Sequence, residues 1–223
     1  MSFKIFAKDH KISPTAFDKY TKHQNGLITP KGSMTPYILE ERPGNLALLD
    51  VFSRLMLDRI IFVGSEIDDI TTNMINAQML YLDTEKSNDP IKLFINSPGG
   101  DVYSGSAILD TMDLVKSPVD TVCIGLAASM GAVILGHGHT RKATPRSRIM
   151  IHQPWGGAGG NTSQILIAAK EYETVRYNLA ETLAIDCKKD VNEVLADCEL
   201  DKWMSATQAI AYGIIDSLTV IKK

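Results

Sequence analysis

The segment from Val122 to Gly136 constrains the fold of this chain more than any other stretch. A short apolar run ends at Gly125, small residues surround Ser129, and an uncharged apolar run follows. This pattern predicts a buried strand, a tight turn and a buried helix whose first turn holds the serine.

The residues around Ser129 also fit a serine placed for nucleophilic attack. The motif A-x-S-x-G, from Ala127 to Gly131, is close to the G-x-S-x-G elbow that sets a serine between a strand and a helix in other hydrolases. Free N–H groups and the positive dipole end of a helix start could stabilise an oxyanion there. An ordinary serine N-cap on a core helix is the alternative interpretation.

Composition excludes several classes of protein. A chain of 223 residues suits one sizeable α/β domain, alone or with an appendage. A net charge of −3 gives no sign of a nucleic-acid or anionic-membrane partner. The cysteines Cys123, Cys187 and Cys198 are odd in number and lack paired spacing, which favours reduced thiols over a disulfide framework or zinc site. Without a long apolar run or a secretory signal, a cytoplasmic protein is expected.

Residues 1–33 differ from the rest of the chain. They contain six lysines and two aspartates, and their apolar residues follow no sustained period. We therefore predict a flexible leader or propeptide over 1–33 and a folded domain over 34–223.

Strands and helices alternate along that domain, which predicts an α/β fold with a largely parallel sheet. Ser205 with Gln208 forms a capping box, and Gly213 is a plausible helix C-cap. The other predicted elements are a helix over 46–57, a strand over 59–63, a helix opened by Ser65 and Asp68, a strand over 91–95, a helix over 103–115, the strand and helix around Ser129, a strand over 148–151, a helix over 162–186 and a strand over 214–221.

The predicted helix over 162–186 is unusually long. At 1.5 Å per residue it spans about 35 Å, more than a compact domain of this size needs. We therefore expect it to project and to pack on another subunit. Its apolar residues for that contact are Ile165, Leu166, Tyr172, Val175, Leu179 and Leu183.

A nucleophilic serine needs a base, and His152 is the best placed of the five histidines. It ends an apolar strand beside a glycine-rich loop, where parallel α/β sheets collect their active sites. His10 and His23 lie in the leader. His137 and His139 lie at the far end of the Ser129 helix, where helix-end or surface histidines are expected and a metal pair is the weaker alternative.

Spacing does not select the acid that would orient the base. Several aspartates lie downstream of His152, and most residues of this kind are solvated or cap helices. They are Asp186, Asp190, Asp197, Asp201 and Asp216.

The N-S-P-G-G-D turn from Asn96 to Asp101 is a further candidate site. Two adjacent glycines after a strand let backbone N–H groups approach a ligand closely, as an oxyanion site requires. An ordinary strand-to-helix turn is the alternative.

Four sequence blocks together resemble the proteolytic subunit of the Clp protease family. They occur in the family's order, and the likeness covers about residues 35–220. The blocks are I-N-S-P-G-G-D at 95–101, G-L-A-A-S-M-G-A at 125–132, R-I-M-I-H-Q-P at 148–154 and D-K-W-M-S-A at 201–206.

The resemblance implies a role for each matching residue. Ser129 matches the nucleophile, His152 the general base and Asp201 the acid that orients it. The backbone N–H groups of Gly100 and Met130 match the oxyanion hole. The segment from Gln153 to Gly159 matches the strand that pairs with an extended substrate. Its first five residues are Gln153, Pro154, Trp155, Gly156 and Gly157.

The resemblance also implies the architecture and the partners. It suggests a crotonase-like fold of spiral ββα units whose long helix, the handle, interlocks two stacked heptameric rings. In the family this tetradecamer takes unfolded polypeptides from an AAA+ unfoldase (a Clp ATPase) in protein quality control, and no cofactor is expected. The chain has no G-x-x-x-x-G-K-[ST] motif, so any ATP use must lie in that partner.

Three features depart from the family pattern. The connection from Ser129 to His152 is slightly shorter than is usual in the family, and the difference falls around residues 139–145. Leu200 stands where the family often has an arginine that takes part in ring-to-ring ion pairing. Lys92 occupies a usually aromatic position at the rim of the unfoldase-docking pocket, and Phe94 keeps the next aromatic.

Two rival functions remain possible for this sequence. A crotonase-type acyl-CoA enzyme would share the fold logic and use backbone N–H groups for an enolate. A catalytically silent ring subunit would keep the architecture without the chemistry. The complete Ser–His–Asp set argues against both.

Overall fold

The computed structural model describes residues 37–42, 45–86 and 88–220. The chain divides into two compact units, residues 1–58 and 59–223. The predicted leader over residues 1–33 lies outside the described residues.

The first unit contains a hairpin followed by a short helix. Strand β1 (Tyr37–Arg42) pairs antiparallel with β2 (Asn45–Asp50), and α1 (Val51–Leu57) follows directly. The Asp50 carboxylate begins α1 by accepting hydrogen bonds from the N–H groups of Phe52 and Ser53. The predicted helix over 46–57 is therefore wrong in its first half, because pairing with β1 makes residues 45–50 a strand.

The second unit is built on a seven-stranded sheet. Its strands are β3 (Ile60–Val63), β4 (Ile91–Ser97), β5 (Val119–Ala128), β6 (Arg141–Ala143), β7 (Arg148–Ile151), β8 (Lys202–Ser205) and β9 (Ser217–Leu218). The order is β3-β4-β5-β6-β9, with β7 paired to β5 and β8 paired to β7. Only the β7–β8 pair is antiparallel among these described strands, so the sheet is largely parallel as predicted.

Six helices of the described chain accompany this sheet. They are α2 (Asp69–Glu85), α3 (Val102–Leu114), α4 (Met130–Gly136), α5 (Thr162–Cys187), α6 (Val191–Asp197) and α7 (Ala206–Tyr212). The side chains of α4 are buried along its whole length, which makes it the central helix of the core. Within the described residues, no helix has both the length and the hydropathy needed to cross a bilayer.

Strand β5 changes neighbour part-way along its length. Residues Thr121–Cys123 pair with β6, whereas Leu126–Ala128 pair with β7. Between these stretches the β4–β5 register shifts at Gly125, which has a φ of 89°. The Asn96 side chain stabilises this bulge by accepting a hydrogen bond from the Leu126 N–H at 3.2 Å. The bend brings the end of β5 beside β7, where Ser129 and His152 follow.

Most of the predicted elements of the second unit are confirmed. Strand β7 has the predicted bounds, and α5 ends one residue later than predicted. The capping box at Ser205 and the left-handed cap at Gly213 are both present.

Two predictions for this unit need correction. Helix α2 is capped by Asp68 with Thr71, not by Ser65 with Asp68, because the Asp68 carboxylate accepts the Thr71 N–H and the Thr71 hydroxyl accepts the Asp68 N–H. The predicted strand over 214–221 is reduced to β9 within the described residues. Ile214 and Ile215 are buried without strand pairing, so their apolar character reflects burial alone.

Candidate active site

Ser129 stands at a strained turn between β5 and α4. Its φ of 54° lies in the left-handed region, which costs a non-glycine residue about 1–2 kcal/mol. The turn is held by the Ser129 N–H, which donates to the Met150 carbonyl at 2.8 Å. Ser129 occupies the N-cap position of α4, but its side chain makes no capping hydrogen bond. The Ser129 hydroxyl is therefore free to bond a group other than the helix N–H groups that an ordinary N-cap serine bonds.

The Ser129 hydroxyl lies against His152. The distance from Ser129 Oγ to His152 Nε2 is 2.9 Å, and His152 Nδ1 lies 3.0 Å from Asp201 Oδ1. The carboxylate accepts only from a protonated Nδ1, so the neutral ring keeps an Nε2 lone pair for the hydroxyl proton. The three side chains form one hydrogen-bonded series in the order Ser–His–Asp.

Strand pairing explains how residues distant in sequence meet here. The parallel pair Ala128↔Met150 sets Ser129 beside the end of β7, and His152 is the first residue after that strand. The antiparallel pair Ile151↔Lys202 then sets Asp201, just before β8, opposite His152.

Of the five candidate acids, only Asp201 is brought to His152 in the described structure, through the pairing of β7 with β8. Each of those carboxylates has a different partner. Asp186 bonds His137, Asp190 caps α6, Asp197 pairs with Lys202, and Asp216 binds Arg141.

The N-S-P-G-G-D turn packs directly against the Ser129 turn. Gly99 has a φ of 96°, and a Cβ on it would lie 2.7 Å from Ser129 Cβ. Gly100 has a φ of 153°, and a Cβ on it would lie 2.2 Å from the Ile67 carbonyl oxygen. Both positions therefore require glycine, the first for the approach to Ser129 and the second for pairing with Ile67.

This turn leaves the Gly100 N–H free for a ligand. The Gly99 carbonyl accepts from Ile67 N at 2.9 Å, and Asp101 N donates to the Ile67 carbonyl at 2.8 Å. In that parallel bridge the Gly100 N–H points away from Ile67. Met130 N opens α4 and so has no acceptor within the helix. Neither N–H is a donor in the backbone hydrogen bonds of the described residues.

Ser97 supports the N-S-P-G-G-D turn through its side chain, a role that was not predicted from the sequence. Its hydroxyl oxygen accepts a hydrogen bond from the Gly99 N–H at 3.1 Å, and its side chain is fully buried. A serine at a buried position of an apolar strand was the available signal, since a buried hydroxyl needs a partner.

Two cavities open beside Ser129 and His152. One has a volume of about 300 Å³ and is also lined by Gly99, Gly100, Pro154 and Trp155. The other is narrow and is closed by the apolar side chains of Val102, Met130, Val133 and Leu179 together with Arg176.

The segment after His152 runs along these cavities without belonging to a strand. The start of the segment is bound to the loop over residues 198–201, the Asp201 loop. Gln153 N donates to the Cys198 carbonyl at 2.6 Å, and Gln153 Nε2 donates to the Glu199 carbonyl at 3.1 Å. Trp155 is 88% exposed. Within the described residues, the backbone from Pro154 to Gly160 takes part in no strand pairing and in no hydrogen bond to another backbone group.

His137 lies outside this site and bridges two carboxylates. It is the C-cap residue of α4, as expected for a helix-end histidine. Its Nδ1 lies 3.0 Å from Asp186 Oδ2 and its Nε2 lies 3.1 Å from Asp113 Oδ1. Hydrogen bonding to Asp186, and secondarily the pairing with Asp113, raises the pKa of His137 to about 9. Within the described residues no three His, Cys, Asp or Glu side chains are placed to hold a metal ion.

All three cysteines are free and buried. Burial raises the pKa of each thiol to about 11, so none is a ready nucleophile. Among the side chains at the cavity, Ser129 with its histidine partner is the nucleophile candidate.

Comparison with known proteins identifies the family of this chain. A family model described as Clp protease matches residues 43–222, well over half of the chain. The chain belongs to the Clp protease family. The resemblance inferred from the four sequence blocks is confirmed, and the fold is the crotonase-like α/β fold of that family.

Relatives match over most of their length. The ATP-dependent Clp protease proteolytic subunit of Bacteroides thetaiotaomicron is 48% identical over 217 residues, covering 92% of this chain and 99% of the relative. The protein of the same name from Porphyromonas gingivalis is 45% identical over 219 residues, covering 97% and 96%. The proteolytic subunit 1 of Salinibacter ruber is 41% identical over 198 residues, covering 87% and 85%.

Proposed function

We propose that this chain is the proteolytic subunit of an ATP-dependent Clp protease, a serine-type endopeptidase that cleaves unfolded polypeptides. Membership of the Clp protease family makes it a protease, and its relatives carry the name of the proteolytic subunit. The observation that carries the serine mechanism is the hydrogen-bonded series of Ser129, His152 and Asp201.

The chemistry follows from that geometry. His152 Nε2 accepts the hydroxyl proton as Ser129 Oγ attacks the peptide carbonyl carbon, and Asp201 stabilises the imidazolium that forms. The N–H groups of Gly100 and Met130 donate to the carbonyl oxygen as it becomes an oxyanion. His152 then gives its proton to the departing amine, which leaves an acyl ester on Ser129. Water, deprotonated by His152, hydrolyses that ester and regenerates the serine.

The substrate is an extended polypeptide held along the segment from Gln153 to Gly159. Trp155, Gly156 and Gly157 lie in this segment, which has no strand partner in the described structure, and we propose that its main chain pairs with the substrate through groups other than the Gly157 carbonyl, which the Tyr172 hydroxyl occupies. Pairing through the main chain is tolerant of sequence, which suits a protease that degrades many unfolded proteins.

The proposed assembly is a double ring of two heptamers in the cytoplasm, fed by a Clp ATPase. Support comes from α5, whose residues Ile165, Leu166 and Ile167 are 42%, 64% and 71% exposed. Exposed apolar residues in a row on one helix indicate a surface that another subunit covers. Leu183, which we expected to contribute, is instead buried within its own unit. The proposed contact between subunits therefore involves only the part of α5 that precedes Leu183.

The docking surface for the ATPase is proposed at the β3–β4 side of the sheet. Phe94 stacks on Phe62 with ring centroids 5.3 Å apart, and Lys92 lies on the same strand, β4. An aromatic platform beside an exposed lysine is suited to a partner loop with apolar and acidic side chains.

Replacing Ser129 by alanine tests the proposed nucleophile. We expect Ser129→Ala to lower the kcat for fluorogenic peptides by at least about 10³-fold, while assembly and thermal stability stay close to those of the wild type. Ser163→Ala, at an exposed position of α5, is the matched control and should retain full activity. Substantial turnover by purified Ser129→Ala protein would overturn the assignment.

The two rival functions predict other outcomes in the same assay. A crotonase-type enzyme would process an acyl-CoA thioester, with or without Ser129, and would leave peptides intact. A silent ring subunit would cleave neither substrate.

A further inference from the structure

The segment from Gln153 to Gly160 is supported by α5 as well as by the Asp201 loop. Gln153 is fixed at its start through the Cys198 and Glu199 carbonyls. At its far end Asn161 caps α5 by accepting from Gln164 N at 3.0 Å. Between these anchors the segment has no strand partner among the described residues.

Tyr172 of α5 supplies the support in the middle. Its hydroxyl donates a hydrogen bond to the Gly157 carbonyl at 2.7 Å. The phenol ring also covers Gly156, since a Cβ on Gly156 would lie 3.0 Å from both Cζ and Oη of Tyr172. One side chain therefore contacts two successive residues of the segment, and a methyl group on Gly156 would press against its ring.

Helix α5 is itself anchored next to this tyrosine. The neighbouring residue, Glu171, accepts a hydrogen bond from the Tyr103 hydroxyl of α3 at 3.0 Å. The support for the segment thus runs from α3 through α5 to the Gly157 carbonyl.

We propose that Tyr172 is a positioning residue for substrate binding, which fixes the backbone at Gly156 and Gly157 so that the segment stays aligned for pairing with a substrate main chain. This inference rests on the proposed function, because it assigns the segment as the substrate edge. A fixed edge binds at lower entropic cost than a mobile one, so loss of the hydroxyl weakens binding of substrates that reach Gly157. It leaves the Ser129–His152–Asp201 geometry in place, since Tyr172 has no hydrogen bond to any of the three side chains in the described structure.

The test compares Tyr172→Phe with Tyr177→Phe, a matched change at another exposed tyrosine of α5. Steady-state kinetics are measured with two substrates. One is an internally quenched peptide with about six residues on each side of the cleaved bond, which spans the segment at about 3.3 Å per residue. The other is a dipeptidyl aminomethylcoumarin, which is too short to reach Gly157.

We expect Tyr172→Phe to raise the KM for the long peptide by about three- to ten-fold, the effect of one lost hydrogen bond, with little change in kcat. The KM for the short substrate should change less than the KM for the long one, and Tyr177→Phe should change neither. A merely structural role would affect both substrates alike. Equal KM effects on the two substrates, or none on either, would overturn the inference.

Gly156→Ala tests the same contact from the other side. The added methyl group displaces the Tyr172 ring and should raise the KM for the long peptide in the same way. Because both changes break one contact, their effects in the double variant should be less than additive. Full additivity would contradict the proposal. Failure of the proposed function is recognised separately, since the wild-type protein would then hydrolyse neither substrate.

Discussion

Individual residues decide how closely the N-S-P-G-G-D turn approaches Ser129. Gly100 has a backbone conformation that side chains rarely adopt, and a Cβ on it would collide with the Ile67 carbonyl, whereas a Cβ on Gly64 would meet open space. The two glycines therefore tolerate an added methyl group very differently, although both follow a strand of the same sheet.

We predict that Gly100→Ala lowers kcat by about 10²-fold or more, because the shifted turn withdraws one proposed oxyanion donor. It should also destabilise the protein by at least about 1 kcal/mol, since alanine is strained at positive φ. Peptidase kinetics and thermal denaturation measure the two effects. Gly64→Ala is the control and should be close to neutral in both. Wild-type kcat in a folded Gly100→Ala protein would contradict the oxyanion role.

The sequence predicted some members of this site better than others. Ser129 and His152 follow apolar strands, so local pattern was enough to single them out. Asp201 could be named only through the family resemblance, because its position depends on the pairing of β7 with β8 across about 50 residues of chain. The hydrogen bonds of Ser97 and Tyr172 were not predicted. Ser97 accepts from Gly99, two residues away, only because the turn folds back on the strand end, and Tyr172 donates to Gly157, 15 residues away.

At the scale of elements, α4 joins the proposed nucleophile to an ion-pair cluster. Ser129 precedes its first residue, and His137 caps its last turn between Asp113 of α3 and Asp186 of α5. Arg141 of β6 faces the same cluster and donates to the Asp186 backbone carbonyl at 2.8 Å. Both ring nitrogens of His137 face carboxylates, so the geometry is satisfied best by the doubly protonated imidazolium.

The elevated pKa of His137 predicts a stability that depends on pH. Because the folded-state pKa of about 9 exceeds the ordinary value of 6.5, the contribution is complete below about pH 6.5 and is lost as the pH rises through about 9. We expect wild-type protein to exceed His137→Gln in free energy of unfolding by on the order of 2–3 kcal/mol at pH 6, and by much less at pH 10.

Chemical denaturation of both proteins across this pH range measures the difference. His139→Gln, two residues further on, is the matched control and should track the wild type. A difference between wild type and His137→Gln that stays constant from pH 6 to pH 10 would contradict the protonated bridge.

Element prediction succeeded where the deciding contacts are local. Capping boxes and the left-handed glycine cap depend on residues three or four apart, so Ser205 and Gly213 were identified correctly. The helix over 46–57 was predicted from the spacing of Leu48, Phe52, Leu55 and Met56. Its first half is wrong because only Leu48 of these four lies there, and pairing with β1 makes that part a strand.

At the scale of the whole molecule, the proposed assembly depends on the exposed apolar side chains of α5. Helix α5 has 26 residues, about 39 Å at 1.5 Å per residue, and its first turns expose apolar side chains. Leu200, beside Asp201, is 80% exposed and cannot donate a charge-assisted hydrogen bond. Arg176 of α5 pairs with Glu199 of the same chain at 3.0 Å. The proposed contact between rings is therefore mainly apolar.

We predict that the assembled particle tolerates high salt. Salt screens exposed ion pairs within a few ångströms at molar concentration, but it weakens apolar association little. Analytical ultracentrifugation from low to molar salt should show one unchanged large species. Leu166→Glu, which places a charge on the exposed apolar turn of α5, should favour smaller species at every salt concentration. Dissociation of the wild type into single rings as salt rises would indicate an electrostatic contact instead.

The central claim is that Ser129 is an activated nucleophile, and covalent labelling tests it most directly. A fluorophosphonate reacts with a serine hydroxyl only where a base and an oxyanion site activate it. After labelling of the intact protein, peptide mapping by mass spectrometry should place the phosphonyl group on Ser129, and His152→Ala should abolish the label. A label on another residue, or no label on a folded and assembled protein, would contradict the account.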